Sequence, residues 1–105
     1  MVTEFIRVCE EKDIKDGELK EIEIEGRLIA LAKYDGVIYA VDNICTHDGG
    51  TLSQGAVVKG MVQCPRHGAR FDLKTGQVIR MPAVIPIGTY EVKIENGEVL
   101  LAIPK

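Results

Sequence analysis

The chain has 105 residues, the size of one domain, and its 46% hydrophobic and 28% charged residues are ordinary for a globular protein. Its apolar runs are only a few residues long, so we expect no membrane span and no signal-peptide core. Thirteen basic and sixteen acidic residues give a net charge of −3, which argues against nucleic acid as the main partner because phosphate binding needs a positive surface. We therefore expect a single soluble domain over residues 1–105.

Short alternating polar and apolar runs predict strands along the whole chain. The predicted strands cover residues 4–9, 19–25, 28–34, 37–41, 57–58, 61–63, 70–73, 77–79, 89–95 and 98–103. Glycine-containing turns are predicted between them at Asp16-Gly17, Gly26-Arg27, Asp35-Gly36, Lys74-Thr75-Gly76 and Asn96-Gly97. No stretch of ten or more residues carries a helical period, and many short strands with frequent turns are typical of a sandwich or small barrel. The sequence therefore predicts an all-β fold, an antiparallel sandwich.

Charge is unevenly distributed along this domain. Residues 1–25 hold nine acidic and four basic side chains, whereas residues 59–80 hold five basic side chains and one acidic side chain. Solvated faces of a small domain explain such runs. A docking patch beside the central loops is the alternative, and the sequence leaves both open.

Three cysteines, an odd number, argue against a secreted disulfide framework. We therefore expect a reducing, cytoplasmic compartment. Cys9 lies far in sequence from the other two cysteines and is expected to be a small, half-buried hydrophobic residue without a functional role. Tyr34, Tyr39 and Tyr90 alternate with apolar neighbours and are expected to pack in the core or on the sheet surface.

Each of the two histidines in the chain shares a compact segment with a cysteine. The first segment holds Cys45 and His47, the second holds Cys64 and His67, and residues 48–63 separate them. Glycine and proline beside these residues favour loops over strands. Two loops that each offer one thiolate and one imidazole predict a four-ligand metal site, with loops at about residues 43–50 and 63–71.

The spacing bears on which metal is bound. Structural zinc accepts two cysteines and two histidines, but common zinc motifs pair like with like, as in C-x2-C followed by H-x3-H. Here one loop reads C-x-H and the other C-x2-H. Such mixed pairs suit a two-iron cluster in which one iron takes both cysteines and the other takes both histidines. A zinc site remains the alternative.

The two cysteine–histidine segments, residues 45–50 and 64–69, are called the first and second box. They resemble the boxes of the Rieske [2Fe-2S] proteins, whose pattern is C-x-H, about sixteen residues, then C-P-x-H-G. The small soluble Rieske-type ferredoxins are similar to this chain over nearly its full length, including a proline-containing third loop at Met81-Pro82-Ala83. The resemblance implies that Cys45 and Cys64 hold the inner iron and that His47 and His67 hold the outer, more exposed one.

Some positions depart from the pattern of one Rieske subfamily and so indicate which subfamilies the chain can resemble. Rieske proteins of quinol-oxidising respiratory complexes add a disulfide between the loops, but the matching positions here are Gly50 and Arg66. The hydroxyl donors of that subfamily are replaced by Ala69 and Phe71, neither of which can donate a hydrogen bond to a cluster sulfur. The resemblance therefore implies a potential near the low end of the Rieske range, about −150 mV. It also excludes the respiratory subfamily.

Terminal Rieske oxygenases carry a second, catalytic iron that needs two more histidines and a carboxylate. Both histidines here are already assigned, so the chain is expected to be an electron-transfer protein and not an enzyme by itself. The resemblance implies a soluble ferredoxin that passes single electrons from a flavin-containing reductase to a terminal oxygenase or similar acceptor. The alternatives are the small Rieske-like subunit of a reductase, such as nitrite reductase, and a non-redox zinc-binding module.

Overall fold

The computed structural model describes residues 3–44, 50–65, 68–81 and 85–104. In these ranges the strands are β1 (Thr3–Glu10), β2 (Leu19–Ile24), β3 (Arg27–Tyr34), β4 (Val37–Asp42), β5 (Ala56–Val58), β6 (Met61–Gln63), β7 (Arg70–Asp72), β8 (Val78–Arg80), β9 (Thr89–Tyr90), β10 (Val92–Glu95) and β11 (Glu98–Pro104). The helical residues of this described chain are two single 3-10 turns, Glu11–Asp13 and Leu52–Gln54. None of its helices is long and apolar enough to cross a membrane. The all-β prediction is confirmed.

The strands pair into antiparallel sheets that stack in layers. The outer sheet has the order β1-β11-β10, the central sheet has the order β2-β3-β4-β9, and the loop-side sheet has the order β5-β6-β7-β8. The central sheet lies between the other two, because hydrophobic residues on both of its faces are buried. This layering is the sandwich that the sequence predicts, extended by the loop-side sheet that carries the second cysteine–histidine box.

Two-residue turns join four pairs of neighbouring strands. Positive φ at both central residues is the requirement of type I′ hairpins, and glycine at the second position meets it without a steric penalty. The turns of this kind are Glu25-Gly26, Asp35-Gly36, Lys59-Gly60 and Asn96-Gly97. The predicted turn at Gly26-Arg27 is therefore wrong by one residue, because Arg27 already begins β3.

The predicted strands lie within one residue of the observed bounds at each end, except at residues 89–95. The predicted strand at 77–79 is observed one residue later, as β8. The predicted strand at 89–95 is two strands, because β9 pairs with β4 in the central sheet and β10 pairs with β11 in the outer sheet. The chain changes sheets at Glu91. Its alternating pattern continues through that point, so the pattern alone could not reveal the change.

The centre of β3 is buried on both faces of the central sheet. Ile29 and Leu31 face the outer sheet, and Ala30 and Ala32 face the loop-side sheet. The distal core, between the outer and central sheets, contains Cys9, Ile14, Ile29, Leu31, Ile38, Ala40, Val99, Leu101 and Ile103. The loop-side core, between the central and loop-side sheets, contains Ala30, Ala32, Val41, Leu52, Val62, Cys64, Ala69, Phe71, Leu73 and Ile87.

A β-bulge at Val8 places Cys9 in the distal core. Arg7 pairs with Leu100 and Cys9 pairs with Val99, so Val8 is the extra residue of β1. Cys9 is 6% exposed, and burial raises the pKa of its thiol. Cys9 packs in the core, as expected, and is more deeply buried than the sequence indicates.

Candidate metal centre

The described residues include one of the four predicted ligands, Cys64. Cys45, His47 and His67 lie outside them, as do Asp48, Arg66 and the Pro82-Ala83 part of the predicted third loop. The described ranges alone hold no group of three or more histidine, cysteine or acidic side chains that could bind a metal. The geometry of the candidate site is therefore that of Cys64 and of the segments that flank both boxes.

Cys64 follows directly after β6 and is almost completely buried. Its exposed fraction is 1%, its thiol forms no disulfide, and it belongs to the loop-side core together with Ala69 and Phe71. The next residue, Pro65, is exposed. The second loop thus starts in the hydrophobic core and reaches the surface within one residue.

Backbone hydrogen bonds close the base of this second loop. The Cys64 N–H donates to the Ala69 carbonyl oxygen at 2.8 Å, and the Gly68 N–H donates to the Cys64 carbonyl oxygen at 3.2 Å. Gly68 has a φ of +77°, a left-handed conformation that glycine adopts without strain. The described ends of this loop are therefore joined to each other, with the Cys64 backbone bonded in both directions.

The segment after the first box lies against the start of the second. Gly50, Thr51, Gln54 and Pro65 line one hollow of about 270 Å³. A Cβ atom placed on Gly55 would lie 1.9 Å from the carbonyl oxygen of Gln63, so only glycine permits this approach. The described ends of the two boxes are thus neighbours in the fold, as a shared metal site requires.

Before the first box, the side chain of Asn43 is buried and fully hydrogen-bonded. It is 1% exposed, and its Nδ2 donates to Glu21 Oε1 at 2.7 Å and to Ser53 Oγ at 3.0 Å. Its Oδ1 accepts the backbone N–H of Ser53 at 2.7 Å. Sequence reasoning did not single out these three residues. The available signal was a polar residue directly after β4 and two residues before the first cysteine.

The segment after the predicted third loop is fastened to the end of β4. Asp42 Oδ1 accepts the Tyr90 hydroxyl at 2.5 Å, and Asp42 Oδ2 accepts the Gly88 N–H at 3.2 Å. The Asp42 N–H donates in turn to the Gly88 carbonyl oxygen at 2.9 Å. Burial, and then the hydrogen bond to Asp42, raise the pKa of Tyr90. The expected packing role of this tyrosine includes a specific polar contact.

Basic and apolar side chains share the surface of the loop-side sheet. Arg70 and Arg80 are directly opposite on β7 and β8, an unfavourable pairing of like charges. Three exposed apolar side chains lie near Arg80 in sequence, with exposed fractions of 56%, 73% and 58%: Ile79, Met81 and Ile85. The docking-patch interpretation of this basic segment stays a prediction.

Comparison with known proteins gives consistent matches. The model of the Rieske [2Fe-2S] domain matches residues 4–91. The ferredoxin component of the naphthalene 1,2-dioxygenase system of Pseudomonas putida is 38% identical over 101 residues, which cover 96% of this chain and 97% of that protein.

Solved structures agree with these matches. The Sphingomonas yanoikuyae B1 ferredoxin superposes with a TM-score of 0.91 and is 36% identical, over 96% of this chain and all of the other. A chain in the complex of reduced oxygenase and oxidised ferredoxin in carbazole 1,9a-dioxygenase superposes with a TM-score of 0.88 and is 30% identical. That alignment covers 93% of this chain and 92% of the other. The sequence matches and the structural matches thus both cover almost the whole length of the compared chains.

Proposed function

This chain belongs to the Rieske [2Fe-2S] family, and we propose that it is a one-electron carrier that takes electrons from a flavin-containing reductase and delivers them to a terminal oxygenase. The main support is its similarity, over nearly the full length of both proteins, to a dioxygenase ferredoxin component. The similar chain in an oxygenase–ferredoxin complex supports the oxygenase as acceptor. The electron carrier is a component of such a system and not the catalyst. The odd cysteine count supports the cytoplasm as its compartment.

The proposed ligands are Cys45 and Cys64 for the inner iron and His47 and His67 for the outer iron. The observation that carries this assignment is the burial of Cys64 at a loop base whose backbone is bonded on both sides. A thiol at that position can act as a fixed thiolate ligand, so the described part of the site fits the cluster. When bound, the cluster supplies a one-electron couple at a higher potential than an all-cysteine cluster, because two neutral imidazoles replace two thiolates.

The chain's own residues hold the ligands and exclude water. The loop-side core around Cys64 is apolar, so solvent does not reach the thiol from the protein side. Ala69 and Phe71, which are 1% and 0% exposed, carry no hydroxyl that could donate to a sulfur. The absence of these donors supports a potential near the low end of the Rieske range, about −150 mV.

Iron and acid-labile sulfide analysis of the purified chain tests the cofactor. We expect two irons and two sulfides per chain and a red-brown colour that bleaches on reduction by one electron. One zinc per chain and no colour would replace this proposal with the zinc-binding module.

Reconstitution tests the partners. We expect the holoprotein to be required for electron flow from the flavin reductase of a dioxygenase system to its oxygenase, whereas the apoprotein should not support it. Recovery of the native protein only as a subunit of a large reductase complex would favour the alternative of a small reductase subunit.

A further inference from the structure

We propose that Asn43 is a positioning residue whose buried side chain, together with Ser53 and Glu21, closes the first ligand loop and slows release of the cluster. This polar clamp is defined by the three residues Glu21, Asn43 and Ser53. The inference rests on the proposed function, because the loop matters through the Cys45 and His47 ligands it would carry.

Asn43 differs from the other described polar residues because its side chain is buried and all of its hydrogen-bonding groups have partners. Among the residues that the structure describes, it is the one buried polar side chain, at 1% exposure. An asparagine side chain offers two donor hydrogens and one acceptor oxygen, and all three are used here. Leaving one of these groups unpaired in the interior would cost its full desolvation penalty. The clamp is therefore a specific arrangement with a high cost of disruption.

The clamp joins the two ends of one loop. Asn43 precedes the first box by two residues, and Ser53 follows its last residue closely, so their direct contacts close the segment 44–52 into a ring. Each end is also fixed through the backbone, since the Asn43 N–H donates to the Leu28 carbonyl oxygen at 3.0 Å and the Gly55 N–H donates to the Leu52 carbonyl oxygen at 2.9 Å. Fixed ends reduce the conformations open to the loop before any metal binds.

Glu21 ties this ring to the central sheet. Its Oε1 accepts from both Asn43 Nδ2 and Ser53 Oγ, at 2.7 and 3.2 Å. Glu21 belongs to β2, which the ladder with β3 holds in register. The carboxylate thus bonds both ends of the loop to a strand of the sheet. Glu23, two residues along the same strand, has no such contact among the described residues.

Two variants test the clamp: the single change Asn43→Asp and the double change Asn43→Asp with Glu21→Gln, which exchanges the amide and the carboxylate between the two positions. The single change removes the Nδ2 donor and sets two carboxylates against each other. We expect the cluster to pass to an iron chelator about tenfold faster than from the wild type, and the potential and the electron paramagnetic resonance line shape to change. In the double variant, the amide introduced at position 21 can donate to the carboxylate introduced at position 43, and the release rate should return to within about twofold of the wild type.

Glu23→Gln is the control and should release the cluster at the wild-type rate. Equal release from Asn43→Asp and the wild type, or no rescue by the double variant, would overturn the proposal even if melting temperatures fall, because a purely structural role lowers stability without a specific effect on the cluster.

Hydrogen exchange of the apoprotein gives a second readout. The Ser53 amide should be protected in the wild type and lose at least about tenfold protection in Asn43→Ala, which removes the Oδ1 acceptor, while β3 amides stay protected. An unprotected Ser53 amide in the wild type would contradict the clamp whether or not the chain binds iron. A wild-type chain with a protected Ser53 amide but no iron would instead count against the proposed function alone.

Discussion

The two faces of the central sheet are covered by very different sheets. The distal core is closed by β1 and β11, which have 8 and 7 residues and a nearly continuous ladder. The loop-side core is closed by β5, β6, β7 and β8, each with three residues. Short ladders provide few hydrogen bonds and pack little surface. We therefore expect the distal half to be the more stable one and the loop-side half to depend on cross-links from the metal.

The buried side chains of the two cores do not explain this difference. The distal core includes six leucine or isoleucine residues, namely Ile14, Ile29, Leu31, Ile38, Leu101 and Ile103. The loop-side core includes three alanines and the Cys64 thiol, beside Leu52, Leu73, Ile87 and Phe71. Both cores thus hold several large apolar side chains, and the contrast between the halves lies in their strands. The core that contains the proposed ligand is the one closed by short strands, where we expect metal binding to add directly to folding stability.

Replacing Cys64 by serine should give the largest difference between the two halves of the protein. We expect loss of the visible spectrum and loss of hydrogen-exchange protection in β5 to β8, while β1, β3 and β11 stay protected. Cys9→Ser in the distal core is the control, and it should destabilise the protein by about 1–2 kcal/mol without loss of the cluster. Uniform loss of protection in Cys64→Ser would show that the two halves unfold together. Bleaching by Cys9→Ser would refute the ligand assignment.

Gly76→Ala should destabilise the loop-side half more than Gly97→Ala destabilises the distal half. Both glycines have φ in the left-handed region, at +77° and +76°. A Cβ on Gly76 would lie 2.1 Å from the Ile87 carbonyl oxygen, whereas a Cβ on Gly97 meets nothing within 4 Å. Gly97→Ala should cost about 1 kcal/mol, the left-handed penalty, and Gly76→Ala at least about 3 kcal/mol, because its backbone must also move. Denaturant unfolding of both apoproteins measures the difference, and equal values would contradict it.

Tyr90→Phe should lower the free energy of unfolding by about 1.5 kcal/mol, because Asp42 Oδ1 loses its hydrogen-bond donor. The raised pKa of Tyr90 means that the folded state favours the neutral phenol. Its contribution is therefore complete below the ordinary tyrosine pKa of about 10 and is lost as the pH rises through the folded-state value. The melting temperatures of the two proteins should differ at neutral pH and converge at alkaline pH. Tyr34→Phe, on an exposed side chain, should change neither curve.

Ala69→Ser and Phe71→Tyr should give the smallest effect, a shift in potential. Only the difference in hydrogen-bond strength between the redox states moves the potential, and a difference of about 1 kcal/mol corresponds to roughly 40 mV. Each change should raise the potential by tens of millivolts without loss of iron. Phe71 is completely buried, so its new hydroxyl also needs a partner. A variant whose hydroxyl reaches a sulfur without raising the potential would contradict the low-potential assignment.

Local chemistry explains which parts of the fold could be predicted. Asp35-Gly36 and Asn96-Gly97 encode their turns in two residues, so both predictions are confirmed. The change of sheet at Glu91 depends on β4 and β11, which are distant in sequence, and no local pattern reports it. The division of the predicted strand at 89–95 was missed because long-range pairing, and not turn chemistry, separates β9 from β10.

The candidate site shows the same division. The cysteine and histidine spacing identified the family, because ligand chemistry constrains residues close together in the chain. The Asn43 contacts could not be predicted, since Glu21 lies 22 residues before it and Ser53 ten residues after it. Burial of Cys64 beside Ala69 likewise follows from the β6–β7 pairing. The full ligand set stays a prediction.

Magnetic resonance of the reduced protein labelled with nitrogen-15 only in histidine tests the central claim most directly. An unpaired electron on the outer iron couples strongly to nitrogen atoms bonded to it. The account predicts strong couplings from two histidine nitrogens, which are lost together with the cluster in Cys64→Ser. A reduced cluster with no strong histidine coupling would contradict the assignment of His47 and His67.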